Sequence, residues 1–244
     1  MKKAAEYFVI FLMIQFVSIT LANGAVLLTG GKVGENLAGT AIGMSIANFI
    51  LVAAVFMGWF KNIRFSTEYL ERKPYLQLLC CILLGAATIA PSLLLQQIMP
   101  EVTDENEKLF KSIIAAPWGF MSLVVFGPLT EEIVYRGAIL GALVSEGRNK
   151  WVAITVSALL FAVSHFNPAQ FTHALLIGML LGWVCIKTKS ILPCIAIHII
   201  NNGMAFVFIK YFPGESFTSV PLLIVSAVVI IISLWGIVRS TARQ

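Results

Sequence analysis

Residues 127–137 read GPLTEEIVYRG. Two adjacent glutamates and an arginine stand inside a long apolar tract, and the reading of the whole chain turns on how they are accommodated. Of the 244 residues, 59% are hydrophobic and 12% charged, and the mean hydropathy is +0.90. A soluble domain is nearer half apolar and a quarter charged. A helix crossing a bilayer needs about 20 mostly apolar residues. Apolar segments run over 5–28, 38–60, 74–99, 111–146, 150–166, 169–187, 190–210 and 219–238. The expectation is an all-α, polytopic membrane protein of about eight transmembrane helices. It would form a single integral-membrane domain over 1–244 with no separate soluble domain.

The formal net charge is +5, but the basic residues form no stripe of the kind that nucleic acid requires. They sit at the ends of apolar segments: Lys2 and Lys3, then Lys61, Arg64, Arg72 and Lys73, then Arg148 and Lys150, Lys187 and Lys189, and Arg239 and Arg243. The alternate connections, GGKVGEN, PEVTDENEK, FNP and KYFPGES, are acidic or poor in net positive charge. With eight spans every basic connection falls on one side, and the positive-inside rule then places both termini in the cytoplasm. The Lys-Lys start and compact loops suit a bacterial inner membrane. Thr20-Leu21-Ala22 has the small-residue look of a signal-peptide cleavage site, but the apolar stretch runs on through Leu28, too long for that role. Cys80, Cys81, Cys185 and Cys194 show no C-x-x-C spacing and read as small buried residues. Gly178 and Gly182 are spaced to let another helix approach closely, as packing rather than as a specific dimer contact.

The fourth segment is too long for one crossing. As a single helix, 111–146 would extend ~54 Å, against a hydrocarbon core of ~30 Å. Gly127-Pro128 lies in its middle, where proline is expected to break the helix, and Thr130 is placed to cap a new start just before the glutamates. A broken helix at membrane depth is tolerated only where it is buried in protein or lines a wet cavity.

A charge at the bilayer centre costs ~2.5–3.5 kcal/mol on insertion scales, so Glu131, Glu132 and Arg136 must be paired or used. Glu132 and Arg136 are i and i+4 on one helix face and can pair. Glu131 points about 100° away and is left over, which makes it the better catalytic candidate. Later segments add FAVSH at 161–165, with Phe161 one turn from His165, and HIINN at 198–202, with His198 and Asn202 on one face and Asn201 near it. Counted from the basic ends, Glu131, His165 and Asn202 all fall roughly 20–25 Å deep, so a carboxylate, two imidazoles and an amide can share one layer. His173 fits that layer less well and reads as an interfacial or packing histidine.

EEIVYR, FAVSH and HIINN are similar, in that order, to the EExxxR, FxxxH and HxxxN motifs of the CAAX protease and bacteriocin-processing family of intramembrane proteases. That family includes type II CAAX prenyl endopeptidases, lysostaphin resistance protein A-like proteins and bacteriocin self-immunity proteins. The resemblance implies a catalytic core over 111–210 that hydrolyses a membrane-associated peptide or small membrane protein. It assigns Glu131, His165, His198 and Asn202 to the active site. Glu131 would be the general base for a water held between it and His165. His198 and Asn202 would donate to the oxyanion, and Glu132 with Arg136 would support the helix.

The same residues offer a zinc set, Glu131, His165 and His198 with water in the fourth position. The local H-E-x-x-H signature is absent, and the residues lean toward a metal-free site. A non-catalytic immunity or peptide-binding protein would use the same polar layer. A proton-coupled transporter would show a second broken helix in a related half, and the sequence has one break and no second half.

Overall fold

The computed structural model describes residues 1–59, 69, 71, 74–98, 104–166, 168–212 and 218–241. Lys61, Arg64, Arg72, Lys73, Asn167, Arg243 and the residues 99–103 and 213–217 of the connections read above lie outside the described residues. Of the described residues 87% are helical, and none lies in a strand. Helix α1 is Lys2–Leu28, and α2, Leu37–Val52, runs on through a π-helical stretch Ala53–Trp59. Then come α3 (Tyr75–Ala87), α4 (Ile89–Ile98) and α5 (Asp104–Ala115). Helix α6 alternates π and α turns without interruption, through Met121–Phe126, Gly127–Glu131, Glu132–Leu140 and Gly141–Ser145. Helices α7 (Lys150–Val163), α8 (Pro168–Thr188), α9 (Leu192–Tyr211) and α10 (Val220–Thr241) complete the chain.

Among the described residues, six helical stretches are long and apolar enough to cross a membrane: Lys2–Leu28, Leu37–Gly58, Tyr75–Leu95, Gln170–Thr188, Leu192–Tyr211 and Val220–Thr241. The eight expected from sequence are not all of this kind. Helix α6 carries the three charges, and α7 has 14 residues, about 21 Å, which is short of the hydrocarbon core. Helix α6 is largely buried, whereas α7 buries one face and exposes Trp151, Val152, Leu159 and Val163 on the other. Outer faces of α1 and α10 present Phe16, Leu21, Ile231 and Trp235, which suit contact with lipid.

The expected break at Gly127-Pro128 is not where the chain breaks. The interruption lies between α5 and α6, around Pro117, where the next residues turn so tightly that a Cβ on Gly119 would overlap the Ile113 carbonyl. At Pro128 the helix widens instead. The Gly127 N–H reaches back five residues to the Ser122 carbonyl, a π-helical bond. In that register the Leu123 carbonyl would take the N–H of residue 128, which proline lacks. Asn202 Nδ2 on α9 donates to it at 3.1 Å. Thr130 is no cap: it sits inside the continuous helix, 2% exposed, its hydroxyl without a hydrogen-bond partner among the described residues. Side-chain caps appear at Asn36 and Asn149, each accepting a backbone N–H at 2.8 Å.

Helix α6 is the axis of the core. Ile133, Val134, Tyr135, Ala138, Ile139, Leu140 and Leu143 are all buried there, against α1, α7, α8 and α9. Helices α7 and α8 lie close because of the glycine pair read from sequence. A Cβ on Gly178 would stand 3.1 Å from the Ala158 Cβ, and one on Gly182 would stand 3.2 Å from the Ile154 Cγ2. The pair therefore packs α8 on α7 within one chain. This close approach brings the Gly178 carbonyl to the guanidinium of Arg136.

Candidate active site

The two glutamates differ in burial. Glu132 is fully buried, whereas the Glu131 side chain keeps 28% of its exposure. Arg136 Nη1 donates to Glu132 Oε1 at 2.7 Å, as the i, i+4 spacing predicts. Its Nη2 donates to the Gly178 carbonyl at 3.2 Å, and its guanidinium carbon lies 4.7 Å from the centre of the Phe161 ring. A buried guanidinium thus has a carboxylate, a carbonyl and an aromatic face as partners, which offsets the cost of taking it out of water.

The sequence did not reveal that Glu132 has a second partner. His198 Nδ1 lies 2.8 Å from the same oxygen, Oε1. An ionised carboxylate only accepts, so Nδ1 carries the hydrogen and donates it. This fixes the ring and turns Nε2 toward Glu131, whose Oε2 is 3.5 Å away. One imidazole therefore bridges the two carboxylates, a buried one that orients it and a half-exposed one that it faces.

His165 lies in the turn that directly follows α7, where Nδ1 is 2.9 Å from the Phe161 carbonyl four residues back. The carbonyl accepts, so Nδ1 carries the hydrogen there too, leaving Nε2 as the lone-pair nitrogen of the neutral ring. The next residue, Phe166, has φ 49°, left-handed backbone that a side chain adopts at a cost, and it turns the chain away after His165. The Phe161 ring is the common contact of the site. Its centroid lies 4.8 Å from His165, 5.9 Å from His198 and 5.2 Å from Tyr135, all edge to face.

Asn202 and Asn201 separate clearly. Asn201 is buried and donates to Thr88 Oγ1 at 3.0 Å, on the side facing the junction of α3 and α4. Asn202 is half-buried and points to α6, where one amide hydrogen goes to Leu123. His173, read as a packing residue, lies near the start of α8 within electrostatic reach of both His165 and His198. The short connection after His165 is the signal that could have found it, because α8 must start beside the residue that ends α7.

Among the described residues, no three of His, Cys, Asp or Glu gather closely enough to hold a metal ion. Glu131 and His198 approach each other, and the contact of His165 Nδ1 with its own backbone leaves Nε2 without that tie.

Two carboxylates, a guanidinium and an imidazole thus meet in one polar cluster among apolar helices. Residues 113–204 match the family model for type II CAAX prenyl endopeptidases of the Rce1-like kind. Over these residues the chain is similar to this CAAX protease family. It is similar to the membrane-embedded CAAX protease MroQ of Staphylococcus aureus (strain USA300), at 30% identity over 117 residues. That match takes in 44% of this chain, and the chain spans 46% of MroQ. No solved structure matches the chain.

Proposed function

We propose that the chain is an intramembrane endopeptidase that hydrolyses a membrane-associated peptide or a small membrane protein with a water activated by Glu131. The observation that carries this reading is the His198 bridge, which leaves Glu131 as the carboxylate with access to water while Glu132 is consumed by two cationic or hydrogen-bonding partners. The match to CAAX prenyl endopeptidases and to a bacterial CAAX protease supports the reaction class.

In this mechanism Glu131 takes a proton from water as the oxygen attacks the scissile carbonyl carbon. The water is held between Glu131 and the lone-pair Nε2 of His165. Negative charge develops on the carbonyl oxygen, where a protonated Nε2 of His198 and the second amide hydrogen of Asn202 would donate to it. Such donors contribute ~3–4 kcal/mol each in other hydrolases. Glu131 then returns its proton to the leaving nitrogen as the C–N bond breaks. Glu132 and Arg136 hold His198 and the helix in place. The protein would sit in a bacterial plasma membrane with both termini in the cytoplasm, the arrangement that its basic connections favour.

The test is cleavage of a diverse set of fluorogenic peptides by purified protein, comparing wild type with Glu131→Gln, with and without a strong chelator. Loss of turnover in the variant, with the chelator inert, is the expected result. Loss with the chelator and recovery on adding zinc would move the mechanism to a metal. No cleavage of any peptide would point instead to a binding or immunity protein.

A further inference from the structure

At the end of the bundle that carries the basic connections, α1, α6 and the α8–α9 junction enclose a cavity of about 670 Å³. That volume is in the range of small-molecule sites, ~300–1,000 Å³. Its rim holds Lys3, Lys150 and Lys189 from three different elements. Among the described residues, none of these three ammonium groups pairs with a carboxylate. Glu146 also lines the cavity, but it is occupied. It accepts from the N-terminal ammonium and lies 3.9 Å from Arg148 Nε. That hydrogen bond to the ammonium holds its carboxyl below the usual range.

A second observation points the same way. Arg136, only 2% exposed, lines this cavity, and its Nε has no hydrogen-bond partner among the described residues. The remaining wall is mixed: Leu140, Ile186 and Ile191 are apolar, Tyr7 brings a ring with a hydroxyl, and Ser190 is a buried polar group. By its position the cavity lies at the level of a membrane surface. Lys3 stands at the start of one spanning helix, and Lys189 directly follows the end of another.

We propose that this cavity binds the phosphate headgroup of an anionic phospholipid. The three lysines face the phosphate, and the apolar wall takes the glycerol and the first methylenes. Basic pockets between transmembrane helices at the charged face of a bilayer suit such headgroups, and each basic residue there adds attraction of about 1 kcal/mol, equivalent to roughly fivefold in affinity. An open cavity with a cationic rim, apolar walls and no carboxylate left unpaired fits a lipid better than a free anion, which would leave the apolar wall facing water. The cavity shares Arg136 with the Glu132–His198 pair, and headgroup binding there does not depend on peptidase activity.

The experiment is native mass spectrometry of the full chain in nonionic detergent, titrated with phosphatidylglycerol, with phosphatidylcholine, and with phosphatidylglycerol against inorganic phosphate. Wild type is expected to bind phosphatidylglycerol at least tenfold more tightly than phosphatidylcholine. Lys150→Gln with Lys189→Gln should weaken it about thirtyfold. The Arg-for-Lys pair at the same positions should retain it, and Lys32→Gln, at the other end of the bundle, should leave it unchanged. Equal binding of the two lipids, or equal binding by wild type and the double Gln variant, overturns the proposal. Displacement of the lipid by millimolar inorganic phosphate overturns the lipid assignment in favour of a free anion.

Discussion

Replacing each glutamate in turn by glutamine separates two effects that the geometry keeps apart. Glu132 is fully buried and accepts from Arg136 at 2.7 Å and from His198 at 2.8 Å through a single oxygen. Glutamine keeps the shape and a carbonyl acceptor but removes the charge that compensates a guanidinium only 2% exposed. Removing one partner of a buried ion pair costs about 3–5 kcal/mol, because the other charge stays buried. The Phe161 face and the Gly178 carbonyl remain as partners, which places the expected cost toward 3 kcal/mol. For a domain of 150–250 residues, each kcal/mol shifts Tm by about 2–4 °C, so Glu132→Gln should lower Tm by roughly 6–12 °C.

Glu131→Gln should behave oppositely. Its side chain keeps 28% exposure, and its one contact in the cluster is a 3.5 Å approach to His198, so the stability change should stay within about 1 kcal/mol. Turnover should fall by about 10²–10⁴-fold, the usual worth of a general base. The assay is a melting curve in detergent beside fluorogenic-peptide turnover for wild type and both variants. If Glu131→Gln loses the larger share of Tm while Glu132→Gln melts like wild type, the division between a structural and a reactive carboxylate is wrong.

Other perturbations follow from the contacts. Asn202→Ala strips the Leu123 carbonyl of its donor and should cost about 1–3 kcal/mol; Pro128→Ala, which restores an N–H to α6, should recover part of that loss in the double variant, as a thermodynamic cycle in detergent will show. Gly178→Leu should destabilise by roughly 1–3 kcal/mol or more, because a Cβ there already meets Ala158 at 3.1 Å, and a lowered Tm with unfolding at lower denaturant is the readout. Phe161→Leu removes the ring shared by Arg136, His165 and His198; turnover should fall about tenfold with little change in KM, since an aromatic pair contributes ~0.5–1.5 kcal/mol beyond its area.

Local spacing made part of this legible. The Glu132–Arg136 pair follows from i, i+4 geometry, as does the separation of Glu131 from it, and the Gly178–Gly182 stripe gives the closeness of α7 and α8. Polarity along the chain gives the all-helical membrane architecture. What the sequence hid depends on tertiary partners. Proline at 128 reads as a break because a lost N–H and a crowded carbonyl disfavour an α-helix. Here a π-turn removes the crowding, and a side chain from α9 supplies the missing donor, so the helix continues. The number of crossing helices is similarly blurred, since a short helix with one buried face and a buried charged helix both pack in the bundle without the length or apolarity of a lone crossing.

The contact from His198 to Glu132 joins residues 66 apart in sequence, and neither helix shows it alone. Its consequence is the strongest argument for two adjacent glutamates at this depth. On a helix, neighbours point about 100° apart, so one carboxylate can face inward to an arginine while the next faces a less enclosed space. An imidazole on a second helix, held at Nδ1 by the inner carboxylate, then necessarily presents Nε2 to the outer side, where Glu131 stands 3.5 Å away. A single glutamate could neutralise Arg136 or act as the proposed base, but it could not also orient the imidazole that faces the second carboxylate. Moving the second carboxylate to i+3 or i+4 would stack both on one face and compete for the same arginine. The adjacent pair is the spacing that supplies an orienting carboxylate and a free one from a single turn of helix.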